Sequence, residues 1–382
     1  MLPRLLKVPD QSFFLLGPRG TGKSTWIRQH FPRVPTYDLL LASEVLRVVR
    51  DSSVFRKECD ALEDSSWVVI DEVQKAPVLL DEVQYLIEAR RQKFVLSGSS
   101  ARKLKRGGAN LLSGRALVKR MFPFVLKELD YQRELEQYLE FGSLPIAVSS
   151  TRPRAILRAY VETYLKEEIQ AEALVRNVGS FARFIEVAAR MNGQVVNLTS
   201  VARDAQVSRH TVQGFFEILT DTLVGHWLPA WKLKRSVKQV AHPKFHLFDA
   251  GVVRHMAGTG HTSIHPEEKG FLFETCLLHE IRAYLHYTEL EYPLFYWRTH
   301  DGAEVDLVVE TRDGLLAIEM KCSDRWDPRF ERGLLRFRGS QEDKKVRCLG
   351  VYTGDRPLLS NDIRVLPWKG FLRGLWEGAI VA

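Results

Sequence analysis

Residues 17–24 read Gly17-Pro18-Arg19-Gly20-Thr21-Gly22-Lys23-Ser24, a G-x-x-x-x-G-K-S stretch without a mismatch. Ser12-Phe13-Phe14-Leu15-Leu16 before it is a short apolar run of the kind that makes a buried strand, and Thr25–His30 after it can start a helix. A strand, a glycine-rich turn and a helix N-terminus together make a phosphate cradle. Gly17, Gly20 and Gly22 let the backbone curl so that its N–H groups converge on an anion. The expected nucleotide contacts run through Pro18, Arg19 and Thr21 to Thr25. Lys23 is placed to reach the β- and γ-phosphates, and Ser24 to offer its hydroxyl to Mg2+. The pattern implies ATP, or another nucleoside triphosphate.

Outward from this stretch, Val34-Pro35-Thr36-Tyr37-Asp38-Leu39 reads as a second strand, and Trp67-Val68-Val69-Ile70 runs into Asp71-Glu72. An apolar strand ending in an acid pair suits hydrolysis. Asp71 would hold magnesium, and Glu72 would orient and deprotonate the attacking water. Phe94-Val95-Leu96 is a third apolar strand, ending in Ser97-Gly98-Ser99-Ser100. Beside the Asp71 strand it would bring Ser97 or Ser99 near the γ-phosphate. Arg102, Lys103, Lys105 and Arg106 flank Gly107-Gly108, a basic loop that suits phosphate backbone, acidic protein or plain solvent. Arg115, after Ser113-Gly114, is the candidate guanidinium for a neighbouring subunit's nucleotide; the alternative is a salt bridge within its own subunit.

The 382 residues allow two or three domains, and 45% hydrophobic with 27% charged residues is ordinary for a soluble globular chain. A net charge of +8 favours an acidic partner, most simply nucleic acid. Cys59, Cys276, Cys322 and Cys348 lie far apart, which argues against zinc or a disulfide framework and for a reducing compartment. No apolar run approaches the roughly 18 residues a membrane span needs. Asp10 and the nucleotide strand leave no room for a secretory signal, so the cytoplasm is expected.

Between residues 131 and 265, Leu126–Leu139 and Arg154–Val175 have helical periodicity, as a lid and connector, broken by Phe141-Gly142-Ser143-Leu144-Pro145. Leu198–Ala205 reads as a short helix, Gln206-Val207 as a turn, and Ser208 as the cap of a second helix to about Thr220. Val212, Phe215 or Phe216, and Leu219 share the apolar face of that helix. Arg209, His210 and Gln213 are left exposed, where a recognition helix meets the major groove. Leu223–Trp231 followed by Lys232, Lys234, Arg235 and Lys238 reads as a basic β-wing. A winged helix over about 195–240 is expected, touching DNA or mediating protein contacts.

From about 266 onward, Phe271–Leu285 is a helix whose apolar stripe holds Leu277, Leu278, Ile281 and Leu285, with Glu274 in its middle. A buried carboxylate there needs a cation or hydrogen-bond partner. Glu304-Val305-Asp306-Leu307-Val308-Val309-Glu310 and Leu315-Leu316-Ala317-Ile318-Glu319-Met320-Lys321 read as two strands joined by Thr311-Arg312-Asp313-Gly314. Antiparallel register pairs Glu310 with Leu315 and Asp306 with Glu319, their Cβ atoms roughly 4.5–5.5 Å apart. Carboxylates that close repel unless a divalent cation lies between them. Lys321 shares the face of Glu319 and suits activation of a water. This is the pattern of the PD-(D/E)XK metal-dependent phosphodiesterases, with Glu274 as a helix-borne acid. Glu304 shares a face with Asp306, so either acid fits the ligand position.

With these blocks in order the chain resembles a bacterial and archaeal family of AAA-type ATPases carrying a C-terminal domain related to the PD-(D/E)XK nucleases. The resemblance rests on Gly17–Ser24, Ile70-Asp71-Glu72-Val73-Gln74, Leu96–Ser100, Ser113-Gly114-Arg115 and Tyr296-Trp297-Arg298 through Glu304-Val305-Asp306 to Glu319-Met320-Lys321. Gly142-Ser143-Leu144-Pro145 departs slightly from the Gly-Gly-x-Pro usual there. The resemblance implies an α/β fold: an ASCE-type parallel-sheet P-loop domain over 1–130, a helical connector and winged helix over 131–265, and a restriction-endonuclease-like α/β domain over 266–382. It also implies ATP hydrolysis, and Arg115 makes sense as a finger in a homo-oligomeric ring. Three functions follow as expectations: a DNA-stimulated ATPase acting on duplex or branched DNA, an ATP-gated endonuclease, or a nucleotide-switched regulatory protein.

Overall fold

The structure is a computed structural model and describes residues 2–99, 112, 114–165, 178–232, 242–341 and 344–381. They form two compact units, Pro3–Pro123 with Ile218–Val224, and Phe124–Glu217 with the chain from Gly225 onward. The basic loop from Ser100 to Gly108, Ser113, residues 166–175, and Lys234, Arg235 and Lys238 lie outside the described residues.

The N-terminal unit runs β1 (Phe13–Leu16), α1 (Lys23–His30), β2 (Thr36–Asp38), α2 (Ala42–Arg50), α3 (Ser52–Asp60), β3 (Trp67–Asp71), α4 (Leu79–Arg90), β4 (Lys93–Gly98) and β5 (Leu117–Arg120). The strands are all parallel in the order β2-β3-β4-β1-β5. The inner strands β1, β3 and β4 are covered on both faces and so read as apolar runs, while the edge strands β2 and β5 are more exposed and carry polar residues. Phe14, Leu16, Val68, Ile70, Phe94 and Leu96 pack with Val48, Phe55, Leu80 and Val83 of the helices. Phe13 turns to the opposite face and meets the rings of Trp26, Phe31 and Trp67. Helices α2 and α3 fill a stretch that carries no motif; α3 starts where the Asp51 side chain accepts the Ser53 N–H at 3.0 Å.

The chain continues with α5 (Leu135–Phe141), α6 (Val178–Arg190), α7 (Leu198–Asp204), α8 (Arg209–Asp221), β6 (Gly225–Leu228), β7 (Lys244–Leu247), α9 (Ala250–Met256) and α10 (Pro266–Tyr287). Then come β8 (Leu294–Arg298), β9 (Glu304–Thr311), β10 (Gly314–Lys321), α11 (Arg332–Ser340), β11 (Val346–Tyr352), β12 (Leu358–Ser360), β13 (Ile363–Pro367) and α12 (Trp368–Trp376). The six-stranded sheet has the order β12-β13-β11-β10-β9-β8. Strands β8, β9 and β10 are antiparallel neighbours, and β11 and β13 extend the sheet parallel to β10. Trp297, Val305, Val308, Ala317, Leu334 and Phe337 share its core with Trp231, which precedes the 265/266 division suggested by the sequence.

Three helix boundaries differ from the sequence expectation. Leu126–Leu139 is not one helix. A 3₁₀ turn over Leu126–Leu129 ends at Asp130 and Tyr131, with left-handed φ of 48° and 56°, before α5 begins. The Arg154 helix spans Pro153–Ala159 and passes into a π turn over Tyr160–Leu165. Helix α10 starts at Pro266, ahead of Phe271, because His265 and Glu268 form a reciprocal capping box with Pro266 in the first turn. At the Gly142-Ser143 departure, Ser143 donates its N–H to the buried Asp249 at 2.7 Å.

Glu280 of α10 is fully buried. It accepts from Leu126 N–H at 2.7 Å, the Tyr138 hydroxyl at 3.1 Å and Trp376 Nε1 at 3.2 Å. Burial outweighs these donors and pushes its carboxyl from 4.5 up to about 7. The native state then holds the proton more tightly than the unfolded chain. The stability this group contributes is full below about 4.5 and is lost as the pH rises through about 7. Thermal melts between about pH 5 and 8 should therefore show wild type losing several degrees relative to Glu280→Gln, which cannot ionise.

Candidate functional site

The nucleotide end of the first unit is built where β1, β3 and β4 stop. The loop after β1 takes left-handed φ at Gly20 and Gly22, and Gly22 leads into α1. Gly17 carries no side chain because a Cβ there would run into the Met121 carbonyl oxygen. Lys23 is buried and donates from Nζ to the carbonyls of Gly17 at 2.7 Å and Pro18 at 3.2 Å. Thr21 donates to the Pro18 carbonyl at 2.7 Å. Ser24 and Thr25 fall in the first turn of α1. Arg4 braces the loop from outside the motif, reaching the Thr21 carbonyl at 2.7 Å and the Phe122 carbonyl at 2.5 Å.

Asp71 closes β3, and Glu72 follows with a left-handed φ of 60°. Register pairs Ile70 with Leu96 and Leu16 with Gly98, so the P-loop, the acid pair and Ser97 come out at one edge of the sheet. Ser97, fully buried, donates to Asp71 Oδ1, and its Oγ accepts the Glu72 N–H at 3.3 Å. Of the two serines left open by the sequence, Ser97 touches Asp71, while Ser99 Oγ stands 3.5 Å from Glu72 Oε2. Gln74, quoted in the motif without a role, donates to Glu72 Oε2. Arg115 pairs with Glu88 of α4 at 2.6 Å, the within-subunit bridge.

The second cluster lies at the start of β9 and the end of β10. The hairpin pairs Leu315 with Glu310 and Ile318 with Leu307, the register read from the turn. Backbone pairing stops there, one position short of the Asp306–Glu319 pair expected from the sequence. Lys321 Nζ stands 2.6 Å from Glu319 Oε1 and 3.5 Å from Asp306 Oδ2, so an ammonium relieves the repulsion for which the sequence demanded a divalent cation. Asp306 Oδ2 also accepts the Met320 N–H at 2.7 Å. Glu304 faces another partner: Lys244 at 2.6 Å, with Arg298 at 3.5 Å. Lys244 also approaches Glu274 at 3.7 Å, so Glu274 has the cation its burial required. A lysine on β7, far away in sequence, gave no signal of this.

Burial, reinforced by Asp306, pushes Glu274 up to about 7 against the pull of Lys244 and Lys321. Burial and Asp306 likewise hold Glu319 well above the carboxylate range, Lys321 opposing. Burial disfavours charge on Lys244, but Glu274, Glu304 and Asp306 outweigh it and raise its pKa. Among the described residues no three His, Cys, Asp or Glu side chains converge closely enough to hold an ion as they stand. Glu319 Oε2 is buried without a hydrogen-bond partner. Oxygen donors with such an orphaned acceptor fit a hard divalent cation.

Arg209, His210 and Gln213 are exposed on α8, while Val212, Phe215, Phe216 and Leu219 are buried. Ser208 Oγ accepts the Thr211 N–H at 3.1 Å, the expected cap.

Residues 9–130 match the sequence profile of an AAA domain. The N-terminal unit is an AAA-type, P-loop ATPase-like domain. Residues 132–263 and 269–371 match two domains of unknown function, DUF8612 and DUF4143. The chain is 25% identical over 363 residues to the uncharacterized protein Rv2008c of Mycobacterium tuberculosis, covering 92% of this chain and 79% of that one. An uncharacterized protein of Haemophilus influenzae is 22% identical over 291 residues, covering 67% and 72% respectively. Among solved structures, the replication initiator DnaA bound to AMPPCP and single-stranded DNA is similar with a TM-score of 0.28 and 16% identity, covering 56% of this chain and 83% of that one. A signal-transduction (STAND) ATPase with a tetratricopeptide repeat sensor from Pyrococcus horikoshii follows at 0.26 and 12%, covering 76% and 49%. Among the described residues no helix is long and apolar enough to cross a membrane.

Removing one partner of a fully buried ion pair costs roughly 3–5 kcal/mol, an upper bound here because Lys244 is buried while Glu304 and Glu274 are half-buried. Lys244→Met should destabilise the second unit by up to that amount in denaturant unfolding, and adding Glu304→Gln should restore part of the loss.

Proposed function

We propose that this protein is a DNA-stimulated ATPase that hydrolyses ATP with magnesium and rearranges duplex or branched DNA. The observation that carries the reading is the convergence of Lys23, Asp71, Glu72 and Ser97 at the ends of three adjacent parallel strands. On binding nucleotide, Lys23 exchanges the Gly17 and Pro18 carbonyls for phosphate oxygens. Ser24 and Asp71 are hard oxygen donors that suit magnesium, which would supply positive charge against the phosphates. Glu72 takes the proton of the attacking water. The Arg115–Glu88 pair is exposed on both sides, and surface pairs of this kind are held weakly. The exposed pair with Glu88 would cost little to exchange, which supports Arg115 as a finger toward a neighbouring copy's nucleotide in an oligomer or ring.

Support for the DNA role comes from the second unit. The winged-helix reading is supported by helices α6, α7 and α8, the antiparallel pair β6–β7 and the bridge from Val195 to Lys244. Arg209, His210 and Gln213 would face the groove, and Lys234 and Arg235, outside the described residues, are proposed to contact the DNA backbone. The PD-(D/E)XK reading draws its support from the β8–β10 meander, the parallel β11 and helix α10 with its Glu274. A second reading, an ATP-gated DNA endonuclease, is favoured by the orphaned Glu319 Oε2. Glu274, Asp306 and Glu319 would hold the divalent ion, with Lys321 beside the attacked phosphate.

ATP turnover of wild type and Glu72→Gln, with and without duplex, single-stranded and four-way-junction DNA, tests the first reading. One DNA form should stimulate wild type, and Glu72→Gln should lose about 10²–10³ of the rate. DNA binding should weaken as salt rises. A rate indifferent to every DNA would overturn the DNA role and favour a nucleotide-switched regulator. On a gel, magnesium- or manganese-dependent nicking abolished by Asp306→Ala is the result expected of the endonuclease; uncut DNA reduces the cluster to a grip.

A further inference from the structure

Gln74 sits in the 3₁₀ turn Val73–Lys75 directly after the acid pair. It is polar, yet only 8% exposed. Its Nε2 donates to Glu72 Oε2 and, at 3.3 Å, reaches Ser99 Oγ. Ser97 holds the Glu72 N–H from the other side and also grips Asp71. Glu72 is thus held through its backbone by Ser97 and through its carboxylate by Gln74, with Ser99 Oγ a longer contact at 3.5 Å to the same oxygen. The left-handed φ of 60° at Glu72 turns the chain so that both holds are possible.

The end of β4 is shaped around this amide. A Cβ at Gly98 would stand 2.6 Å from Gln74 Oε1, so Gly98 leaves the space the amide occupies. Gln74 Oε1 is itself buried with no hydrogen-bond partner. A buried amide with half its capacity unused is unfavourable, and a leucine or methionine of similar size would fill the same space without that cost. Packing therefore does not explain a glutamine here; the contact with Glu72 does.

We propose that Gln74 is a positioning residue for ATP hydrolysis, holding the Glu72 carboxylate in the orientation from which it accepts a proton. This rests on the ATPase reading above. In that reaction the water oxygen bonds to the γ-phosphorus as the bond to the bridging oxygen breaks. ADP keeps the electron pair, and the water proton passes to Glu72. Gln74 touches none of these atoms and acts only through Glu72.

The test is steady-state ATP hydrolysis by the full chain as wild type, Gln74→Leu, Glu72→Gln and the double variant. A fluorescent nucleotide analogue and thermal melts report binding and folding, and Gln74→Met replaces the leucine variant if that one melts early. Gln74→Leu should lower kcat by about tenfold to a hundredfold, the scale of a small misplacement of a reacting group, with KM for ATP within about twofold. In the Glu72→Gln background the same change should have no further effect, because the residue it positions has gone. A merely structural glutamine would raise KM, or its effect would multiply with Glu72→Gln; either result overturns the proposal, as does a wild-type kcat in folded Gln74→Leu. Turnover equal in wild type and Glu72→Gln would instead overturn the ATPase reading itself, and this inference with it.

Discussion

The parallel pairing of β4 with both β1 and β3 is the constraint on which the nucleotide end of this protein depends. Because β4 lies between them, the loop after β1, the acids after β3 and the serines of β4 leave the sheet at the same edge. One hydroxyl then serves two purposes. Ser97 satisfies an Asp71 oxygen and the Glu72 N–H, which would otherwise be buried polar groups at a strand end. The same pairing sets Gly98 against the Gln74 amide. A one-residue slip of β4 would turn Ser97 to the other face of the sheet and dissolve the arrangement.

The second unit meets a different demand, that of burying several carboxylates close together. It does so by alternating charge: Lys321 lies against Glu319 and Asp306, and Lys244 against Glu304 and Glu274. The compensation is incomplete. Glu319 keeps one oxygen without a partner, and burial raises both Glu274 and Glu319. A cluster left in this condition favours a further cation or the proton in its place. Lys244 also ties the strand returning from the β6–β7 loop to the six-stranded sheet, where Ala230 bridges Tyr296 and Trp231 N–H meets the Tyr296 carbonyl at 2.6 Å.

Much of the site was legible because its signals are local. The P-loop, the apolar strand before Asp71-Glu72 and the hairpin register of Glu310 with Leu315 depend on residues within a few positions of one another. Helix α8 was legible for the same reason, since its cap and apolar face lie within one element. The broken helix at Asp130–Tyr131 was not, because left-handed backbone at two ordinary residues leaves no periodicity to read. Arg4, Gln74 and Lys244 carry no spacing that would single them out.

The sequence by itself determined the chemistry on offer: a phosphate cradle, an acid pair behind an apolar strand, and an acid-rich hairpin ending in lysine. Each follows from the rigid geometry of a turn, a strand or a helix, which short-range sequence encodes. Only the tertiary structure decided how the acids divide. It gave Asp306 and Glu319 to Lys321, gave Glu304 and Glu274 to a lysine some thirty or more residues upstream, and placed Arg115 on Glu88. Charge pairing acts over a few ångströms of space and is indifferent to separation along the chain, so nothing short of the folded arrangement fixes which partner each carboxylate finds.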